Sequence, residues 1–415
     1  MEPSIVTDLA KPAEWEPCYA SRAERMRASE IRELLKLLDQ PGVISFAGGI
    51  PDPAMFPVAE AQAAYAAVLS DPKLAGSGLQ YSVSEGYLPL RRWIVGHMRA
   101  QGVACSEDNV VVTSGSQQAL DFLGRLLLSP GDTALVTAPT YLGALQAFSA
   151  YEPRYDELRP EDGNRTAASY ADAAAAAGGR VKFAYVVPSF ANPTGETLSQ
   201  AARERLLELA AELDIPVVED AAYAALRFEP DPPPCLMALE AARRGGIDNA
   251  RSIYCGTFSK VLSPGLRVGW IVAPRPMIRR LVLVKQASDL NNATVNQMVM
   301  HRLADAAYED QARRASAHYR RRRDAMLAAL EAHMPQGVAW TRPGGGLFVW
   351  VRLPEGMDGA RLLDRAVSEA HVAFVPGAAF FHDGRGVNTL RLSYSLAGEA
   401  EIEEGIARLA RLIRQ

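Results

Sequence analysis

The chain has 415 residues, of which 48% are hydrophobic and 22% are charged, so it can form a large core divided between about two domains. A formal net charge of −4 gives no basic face of the kind that binds nucleic acid or an anionic membrane. No run of about twenty apolar residues occurs, and the N-terminal segment is acidic and contains proline, so we expect neither a spanning helix nor a secretory signal but a cytoplasmic protein.

The first predicted element is an amphipathic helix in ASEIRELLKLLD, which Pro41-Gly42 stops. From about residue 105 to 275, short β-rich runs alternate with helical ones. The β-rich runs are Val110–Thr113, Thr133–Thr137, Phe183–Val187, Pro216–Glu219, Ser252–Cys255 and Val268–Val272. Such alternation predicts a mostly parallel sheet covered by helices on both faces.

After about residue 275 the pattern changes to two long helical stretches followed by three strand candidates and a closing helix. These later elements are Leu347–Arg352, Ala373–Val375, Leu390–Tyr394 and Ala400–Arg414. Together they predict a smaller α+β domain. The only cationic block, Arg320–Arg323, falls in one of the long helical stretches, and we interpret it as a solvated helix face.

Cysteine, histidine and lysine usage narrows the chemistry. The four cysteines are far apart and the six histidines have no metal-ligand spacing, so we predict neither disulfides nor a metal site. Only six of the 44 basic residues are lysines, which leaves few candidates for chemistry that requires a primary amine. They are Lys11, Lys36, Lys73, Lys182, Lys260 and Lys285.

Ligands of open α/β sheets bind beyond the carboxyl ends of the strands, so ligand-binding side chains are expected at the junctions between strands and helices. At the first, Thr113–Gln118, the backbone amides near Ser116 and Gln117 are suited to hold a phosphate dianion, or the small polar residues are an ordinary N-cap. At the second, Tyr141 stands where an aromatic ring could stack on a flat heterocycle or simply pack in the core.

The third junction carries Asn192 in an Asn-Pro-Thr-Gly sequence, which is either a plain turn or a position from which the amide can donate to a ligand. At the fourth, Asp220 ends an apolar strand. Burying an unpaired carboxylate costs several kcal/mol, so Asp220 either faces solvent or has a cationic partner. A protonated pyridine nitrogen is one such partner, and Tyr223 could then donate to a phenolic oxygen on the same ring.

The segment Gly256–Arg267 places Lys260 among hydroxyl groups, with Arg267 shortly after it. A free lysine has a pKa of about 10.4, so it becomes a nucleophile at neutral pH only when desolvated or converted to an imine. The hydroxyls and the arginine suit a phosphate group held beside such a lysine. A surface lysine in a loop is the alternative interpretation.

With these junctions in order, the chain resembles the fold type I pyridoxal-phosphate aminotransferases over nearly its full length, and the 2-aminoadipate and kynurenine branch most closely. The resemblance rests on SFAGGIPDP, LQYSVSEGYLPLR, TSGSQQALD, PSFANPTGE, GTFSKVLSPGLRVG, RPGGGLFVW and NTLRLSYS. It implies pyridoxal 5′-phosphate as cofactor and an α/β fold with a large domain and a smaller α+β domain. The expected division is an N-terminal segment 1–45 packing with the small domain and the site entrance, a large cofactor-binding domain 46–285, and a small domain 286–415.

The same resemblance assigns roles by matching position. Lys260 corresponds to the lysine that joins the cofactor covalently and later moves the proton of the substrate Cα. Asp220 corresponds to the partner of the pyridine nitrogen, Tyr141 to the stacking ring, and Asn192 and Tyr223 to donors to the ring oxygen. The residues that would hold the phosphate, here named the phosphate cup, are Ser116, Gln117, Thr257, Ser259 and Arg267.

Three further positions concern the partner subunit and the substrate. Tyr81 is similar to the tyrosine that reaches the phosphate from a neighbouring subunit, which implies a homodimer with shared sites. Arg391 resembles the arginine that grips the substrate α-carboxylate with help from Asn192 and the backbone of Gly49; a surface salt bridge is its alternative role. Arg32 matches an arginine that meets a distal substrate carboxylate in adipate-using relatives, or else it points to solvent.

The leading functional hypothesis is transamination between an L-amino acid and a 2-oxo acid, with glutamate and 2-oxoglutarate as the expected common pair. The amino donor is expected to be of the 2-aminoadipate, glutamate, aromatic or aliphatic type. Decarboxylation, elimination and racemisation need the same lysine and aspartate and stay open as alternatives. A regulatory domain behind a DNA-binding domain would need an extra basic N-terminal domain, for which we expect no room. The segment 289–294 lacks the leucine-histidine pattern usual in this branch, so the sequence leaves the amino donor open.

Overall fold

The computed structural model describes residues 15–26, 42–229 and 232–415. The amphipathic helix predicted upstream of Pro41 therefore lies outside the described residues, as does Arg32. Within those ranges, none of the helices combines the length and the apolar character that crossing a bilayer demands.

The described ranges contain twelve α-helices. They are α1 Val58–Ser70, α2 Pro72–Gly78, α3 Leu88–Ala100, α4 Ser116–Leu127, α5 Leu142–Ser149, α6 Ala167–Ala176, α7 Gln200–Glu212, α8 Leu236–Arg244, α9 Arg275–Gln286, α10 Thr294–His333, α11 Gly359–Ala370 and α12 Glu399–Ile413. The two long helical stretches expected after residue 275 are α9 and α10, and α10 alone has 40 residues.

The strands in the same ranges number thirteen. They are β1 Ile44–Ser45, β2 Val110–Thr113, β3 Thr133–Thr137, β4 Arg154–Leu158, β5 Val181–Val186, β6 Val217–Asp220, β7 Ile253–Thr257, β8 Gly269–Val272, β9 Ala339–Trp340, β10 Phe348–Arg352, β11 Val372–Ala373, β12 Val375–Pro376 and β13 Thr389–Ser393.

Seven strands form the central sheet in the order β2-β8-β7-β6-β5-β3-β4. All neighbours are parallel except β8, which runs antiparallel to both β2 and β7. The strands β2, β6, β7 and β8 are buried at every residue, as expected for apolar runs covered by helices on both faces. The predicted mostly parallel α/β sheet is confirmed.

Two smaller sheets involve the C-terminal part of the chain. One is antiparallel in the order β12-β13-β10-β9, and in the other β1 pairs with β11 in parallel. The prediction of one strand over Ala373–Val375 was wrong, because β11 pairs with β1 while β12 pairs with β13. Phe374, fully buried between them, marks the point where the chain passes from one sheet to the other.

The interpretation of Arg320–Arg323 as a solvated helix face is wrong for two of its members. Arg322 donates from Nη2 to the Asp52 carboxylate at 2.7 Å, and Arg323 is 8% exposed with its guanidinium 5.1 Å from the ring centre of Phe228. The Asp52 backbone amide also donates to the hydroxyl of Tyr319 at 2.9 Å. This face of α10 therefore holds the chain segment that follows Gly49.

Candidate active site

The carboxyl ends of β5, β6 and β7 bring three of the predicted residues to one edge of the central sheet. These strands are parallel neighbours, with Val186 beside Glu219 and Asp220 beside Cys255 in the register. The loops after them carry Asn192 and Lys260, while Asp220 is the last residue of β6. The sheet therefore assembles side chains that lie far apart in sequence.

Asp220 is 2% exposed, and one of its oxygens, Oδ2, accepts a hydrogen bond from the Tyr185 hydroxyl at 2.9 Å. The other, Oδ1, is buried and has no hydrogen-bond partner among the described residues. Burial raises the pKa of Asp220 to about 6, although Tyr185 and Lys260 favour the ionised form. A buried carboxylate with one uncommitted oxygen fits a cationic N–H donor such as a protonated pyridine nitrogen.

Lys260 is partly buried, and its Nζ donates to the carbonyl oxygen of Gly49 at 3.1 Å. The same nitrogen lies 5.5 Å from the ring centre of Tyr223. The pKa of Lys260 is lowered to about 8, mainly by burial and then by the positive charges of Arg391 and Arg267. The negative charge of Asp220 opposes this shift. The site therefore makes a neutral, nucleophilic amine available near neutral pH.

Arg391, on β13, is only 1% exposed. Its Nη1 donates to Asn192 Oδ1 at 2.8 Å and its Nη2 to the carbonyl oxygen of Ala47 at 2.7 Å. The guanidinium lies between two aromatic rings, 4.2 Å from the centre of Phe348 and 5.1 Å from that of Phe380. Burial lowers the pKa of Arg391 to about 10. Among the described residues no carboxylate pairs with it, so the guanidinium suits an anion that enters from solution.

Tyr223 and Tyr141 complete the ring-binding part of the candidate site. Tyr223 is 6% exposed, and burial raises its pKa above the ordinary value. The hydrogen bond with the Asn192 side chain opposes this rise only in part. Tyr141 precedes α5 and donates to Gln117 Oε1 at 3.4 Å. Burial raises the pKa of Tyr141 to about 12, and the negative charge of Asp220 contributes to this rise. Both tyrosines therefore stay protonated at neutral pH and can donate a hydrogen bond.

The phosphate cup is built at the start of α4, where Ser116 is the first helical residue. Gly115 precedes it with φ +80°, and a Cβ there would lie 2.6 Å from Arg267 Nη2. The positive φ favours glycine at this position, and Arg267 beside it donates to the carbonyl oxygen of Ser114 at 3.1 Å. Amide groups at a helix N-terminus beside a guanidinium suit a phosphate dianion.

Two hydroxyls of the phosphate cup lie at and just after the end of β7, which β8 separates from β2. Thr257 Oγ1 and Ser259 Oγ are 2.9 Å apart, and both residues are buried. Thr257 and Thr113 both stand in register with Gly269 of β8, so the ends of β2 and β7 lie on either side of it. The loops after these two strands therefore begin at the same edge of the sheet.

The structure of one chain does not bring Tyr81 into this site. Tyr81 is 79% exposed, and the nearby Leu79 and Val83 are 74% and 59% exposed. Gly49, in contrast, is in place: its carbonyl faces Lys260, and a Cβ on it would lie 2.6 Å from the ring of Phe348. Among the predicted site residues, Arg32 alone lies outside the described residues.

Sequence reasoning missed residues that support the site. Tyr185 holds Asp220, and Phe348 and Phe380 enclose Arg391. Tyr185 could have been proposed from the sequence, because it lies on the apolar strand β5 and β6, which follows it along the chain, ends in Asp220. No such signal exists for the two phenylalanines, whose position depends on the pairing of distant strands.

The chain is similar to known proteins over nearly its full length. Residues 42–409 match the family model for aminotransferase class I and II. The chain is 42% identical to aromatic-amino-acid aminotransferase 1 of Thermococcus litoralis, covering 100% of this chain and 99% of that one. It is 43% identical to the 2-aminoadipate transaminase of Thermus thermophilus, covering 97% and 98%. A crystal structure of α-aminoadipate aminotransferase from Thermus thermophilus, complexed with N-(5′-phosphopyridoxyl)-L-leucine, superposes with a TM-score of 0.86 at 40% identity, covering 97% and 98%.

Proposed function

The chain belongs to the class I and II aminotransferases and is a pyridoxal-phosphate-dependent enzyme, and on that premise we propose that it transfers the amino group of an acidic or aromatic L-amino acid to 2-oxoglutarate. When bound, the cofactor supplies an electron sink that stabilises negative charge at the substrate Cα. The residues described above would hold it by its ring nitrogen, ring oxygen, aldehyde and phosphate.

Lys260 carries the proton in this proposal. Because its pKa is lowered, part of the amine is neutral near neutral pH, so Lys260 would hold the cofactor by its aldehyde carbon and, once freed by a substrate amine, would accept the proton of the substrate Cα. Asp220 would keep a proton on the ring nitrogen through Oδ1, which has no partner among the described residues, while Tyr185 donates to its other oxygen. Tyr223 and Asn192 would donate to the ring oxygen, and Tyr141 would lie against the ring.

The single observation that carries the substrate proposal is the buried guanidinium of Arg391 without a carboxylate partner among the described residues. A buried charge left unpaired is costly, and an incoming α-carboxylate would neutralise it through a bidentate pair. Arg391 and Lys260 both donate to the short segment from Ala47 to Gly49. A carboxylate on Arg391 would therefore orient the substrate Cα relative to the amine.

The choice of acidic and aromatic amino donors is based on the names of two similar proteins. These proteins are named as acting on aromatic amino acids and on 2-aminoadipate. Arg32 stays a candidate for the distal carboxylate of an acidic donor. Replacing it with alanine should then impair acidic donors much more than aromatic ones, and equal losses would remove it from the proposal.

We also propose a homodimer in which Tyr81 of one subunit reaches the phosphate of the other. Exposed apolar side chains around it support a contact surface, because Leu79, Tyr81, Val83 and Leu88 are each more than two-fifths exposed in a single chain. Mixing Tyr81→Phe protein with Lys260→Ala protein should restore sites in hybrid dimers beyond the sum of the separate preparations. The cytoplasmic location stays a prediction.

The division into a segment 1–45, a large domain 46–285 and a small domain 286–415 is likewise proposed. The pairing of β1 with β11 supports the docking of the N-terminal segment onto the C-terminal part. The antiparallel sheet of β12, β13, β10 and β9 supports a separate α+β unit after residue 286.

A panel of L-amino acids tests the proposed function. Holoenzyme mixed with a productive donor alone should lose the absorbance of its lysine-bound cofactor and gain that of the aminated form, and 2-oxoglutarate should reverse the change. Mass analysis should find the 2-oxo acid of the donor and glutamate. A decarboxylated, eliminated or racemised product would instead support the alternative reactions, and no spectral change with any donor would overturn the proposal.

A further inference from the structure

Lys285, near the end of α9, is a fully buried lysine that the proposed chemistry does not use. Its Nζ donates to both carboxylate oxygens of Asp289, at 2.9 and 3.2 Å, and to the side-chain oxygen of Asn292. An ammonium group has three N–H donors, and all three are therefore used within this cluster. Besides satisfying the buried ammonium group, the contact with Asn292 fixes the position of the Asn292 side chain.

The partners of Lys285 converge on Ser114. Asn292 donates from Nδ2 to Ser114 Oγ at 2.7 Å. Asp289 Oδ2 accepts from Gln118 Nε2 at 2.7 Å, and Gln118 Oε1 in turn accepts from the Ser114 backbone amide at 2.8 Å. The hydroxyl and the amide of Ser114 are thus both held by residues that the Lys285 cluster fixes.

Ser114 is the residue through which this cluster reaches the phosphate cup. Its carbonyl oxygen accepts from Arg267, and it directly precedes Gly115 and Ser116 at the start of α4. The loop therefore presents its amides to the cup on one side and is tied to buried side chains on the other. Lys285 cannot itself be a phosphate ligand in this arrangement, because its three donors are committed to Asp289 and Asn292.

We infer that Lys285 is a positioning residue for the phosphate cup, acting through Asp289, Asn292 and Gln118 to hold Ser114 and the amides that follow it. The inference rests on the proposed function, since it assumes that a phosphate binds at this loop. Amides pre-ordered by a satisfied buried network bind an anion without first having to be fixed in place. Without Lys285, the Asp289 carboxylate loses its cation, and the tether to Ser114 loosens.

The test separates the phosphate from the ring of the cofactor. Apoenzyme with Lys285→Met should bind pyridoxal 5′-phosphate roughly 10- to 100-fold more weakly than wild type, as expected when a buried hydrogen-bonded charge loses its partner. Pyridoxal, which lacks the phosphate but still needs Lys260, should bind with nearly unchanged affinity. The ³¹P resonance of the bound cofactor should also shift in the variant.

Lys182→Met is the control, because Lys182 also lies near a carboxylate, with its Nζ 3.9 Å from Asp132, but it stands on β5 and is 33% exposed. It should change neither affinity. Equal weakening of both ligands in Lys285→Met would overturn the inference, since it would indicate general damage, and so would unchanged binding of both.

If Lys285→Met does not fold, the milder variant Ser114→Ala tests the positioning role of Lys285. Ser114→Ala removes only the hydroxyl that accepts from Asn292, and it should weaken pyridoxal 5′-phosphate several-fold while sparing pyridoxal. A phosphate-independent effect of Ser114→Ala, or none, would overturn the inference. If wild-type protein binds neither ligand, the proposed function fails instead, and that outcome is distinct from a failure of the role assigned to Lys285.

Discussion

The low pKa of Lys260 has a direct kinetic consequence. The change from the ordinary 10.5 to about 8 corresponds to about 3 kcal/mol by which the surroundings disfavour the protonated form. At pH 7.5 about a quarter of the side chains are then neutral, against about one in a thousand for an ordinary lysine. The neutral, reactive amine should therefore be roughly 200-fold more populated at this pH than in a lysine of ordinary pKa.

The assay is stopped-flow absorbance of apoenzyme mixed with pyridoxal 5′-phosphate between pH 6 and 10. The rate constant should rise with pH through a midpoint near 8 and then level off. Reaction of the same reagent with Nα-acetyl-lysine, expressed per neutral amine at each pH, corrects for titration of the reagent itself. A corrected rate that keeps rising tenfold per pH unit up to pH 10 would refute the lowered pKa.

Arg391 supplies an internal check on the cause of the shift. Its positive charge is the second contribution to the low pKa of Lys260, after burial. Arg391→Met should move the midpoint to higher pH, because the protonated amine loses a repulsive neighbour, whereas Arg391→Lys keeps the charge and should move it less. Identical midpoints in the two variants would show that the charge of Arg391 has no part in the shift.

Three further substitutions test separate parts of the site by steady-state kinetics. Asp220→Asn should lower kcat roughly 100-fold or more, because it removes the charge that keeps the ring nitrogen protonated; Glu219→Gln on the same strand is the control and should keep most activity. Tyr185→Phe should lower kcat roughly tenfold, as for a lost hydrogen bond to a charged group. Because the Tyr185 hydroxyl lowers the pKa of Asp220, its loss should also move the acidic limb of the pH profile to higher pH, and an unmoved limb would contradict the assigned contact. Arg391→Lys should raise the donor KM roughly 10- to 100-fold while leaving cofactor affinity intact, since lysine cannot form the bidentate pair; a loss confined to kcat would argue against carboxylate binding.

Much of the central sheet followed from the sequence because its strands are short apolar runs bounded by turn residues. Val110–Thr113 and Thr133–Thr137 were predicted with the bounds that the structure shows. The edge strand β4 was missed because Arg154–Leu158 reads RYDEL, which is polar enough for a loop. It pairs on one side only, with β3, and its residues are mostly only partly buried, so a polar sequence is tolerated there.

Some residues of the candidate site could likewise be predicted from the sequence, and other contacts could not. Lys260, Asp220 and Asn192 could be proposed because each follows or ends a strand, and strand ends of a parallel sheet meet at one edge. The contact of Arg322 with Asp52 and the link from Asn292 to Ser114 could not be predicted from the local sequence, because Asp52 and Ser114 lie far away along the chain. Contacts made across the fold leave no local pattern of residues.

The covalent attachment of the cofactor is tested most directly by reducing the holoenzyme with borohydride and mapping the label by peptide mass spectrometry. Six lysines compete for it. The label should lie on Lys260 alone, and Lys260→Ala protein should take up none at any lysine. A stable label on Lys285 or another lysine in wild-type protein, or no label at all after saturation with pyridoxal 5′-phosphate, would contradict the site proposed for this enzyme.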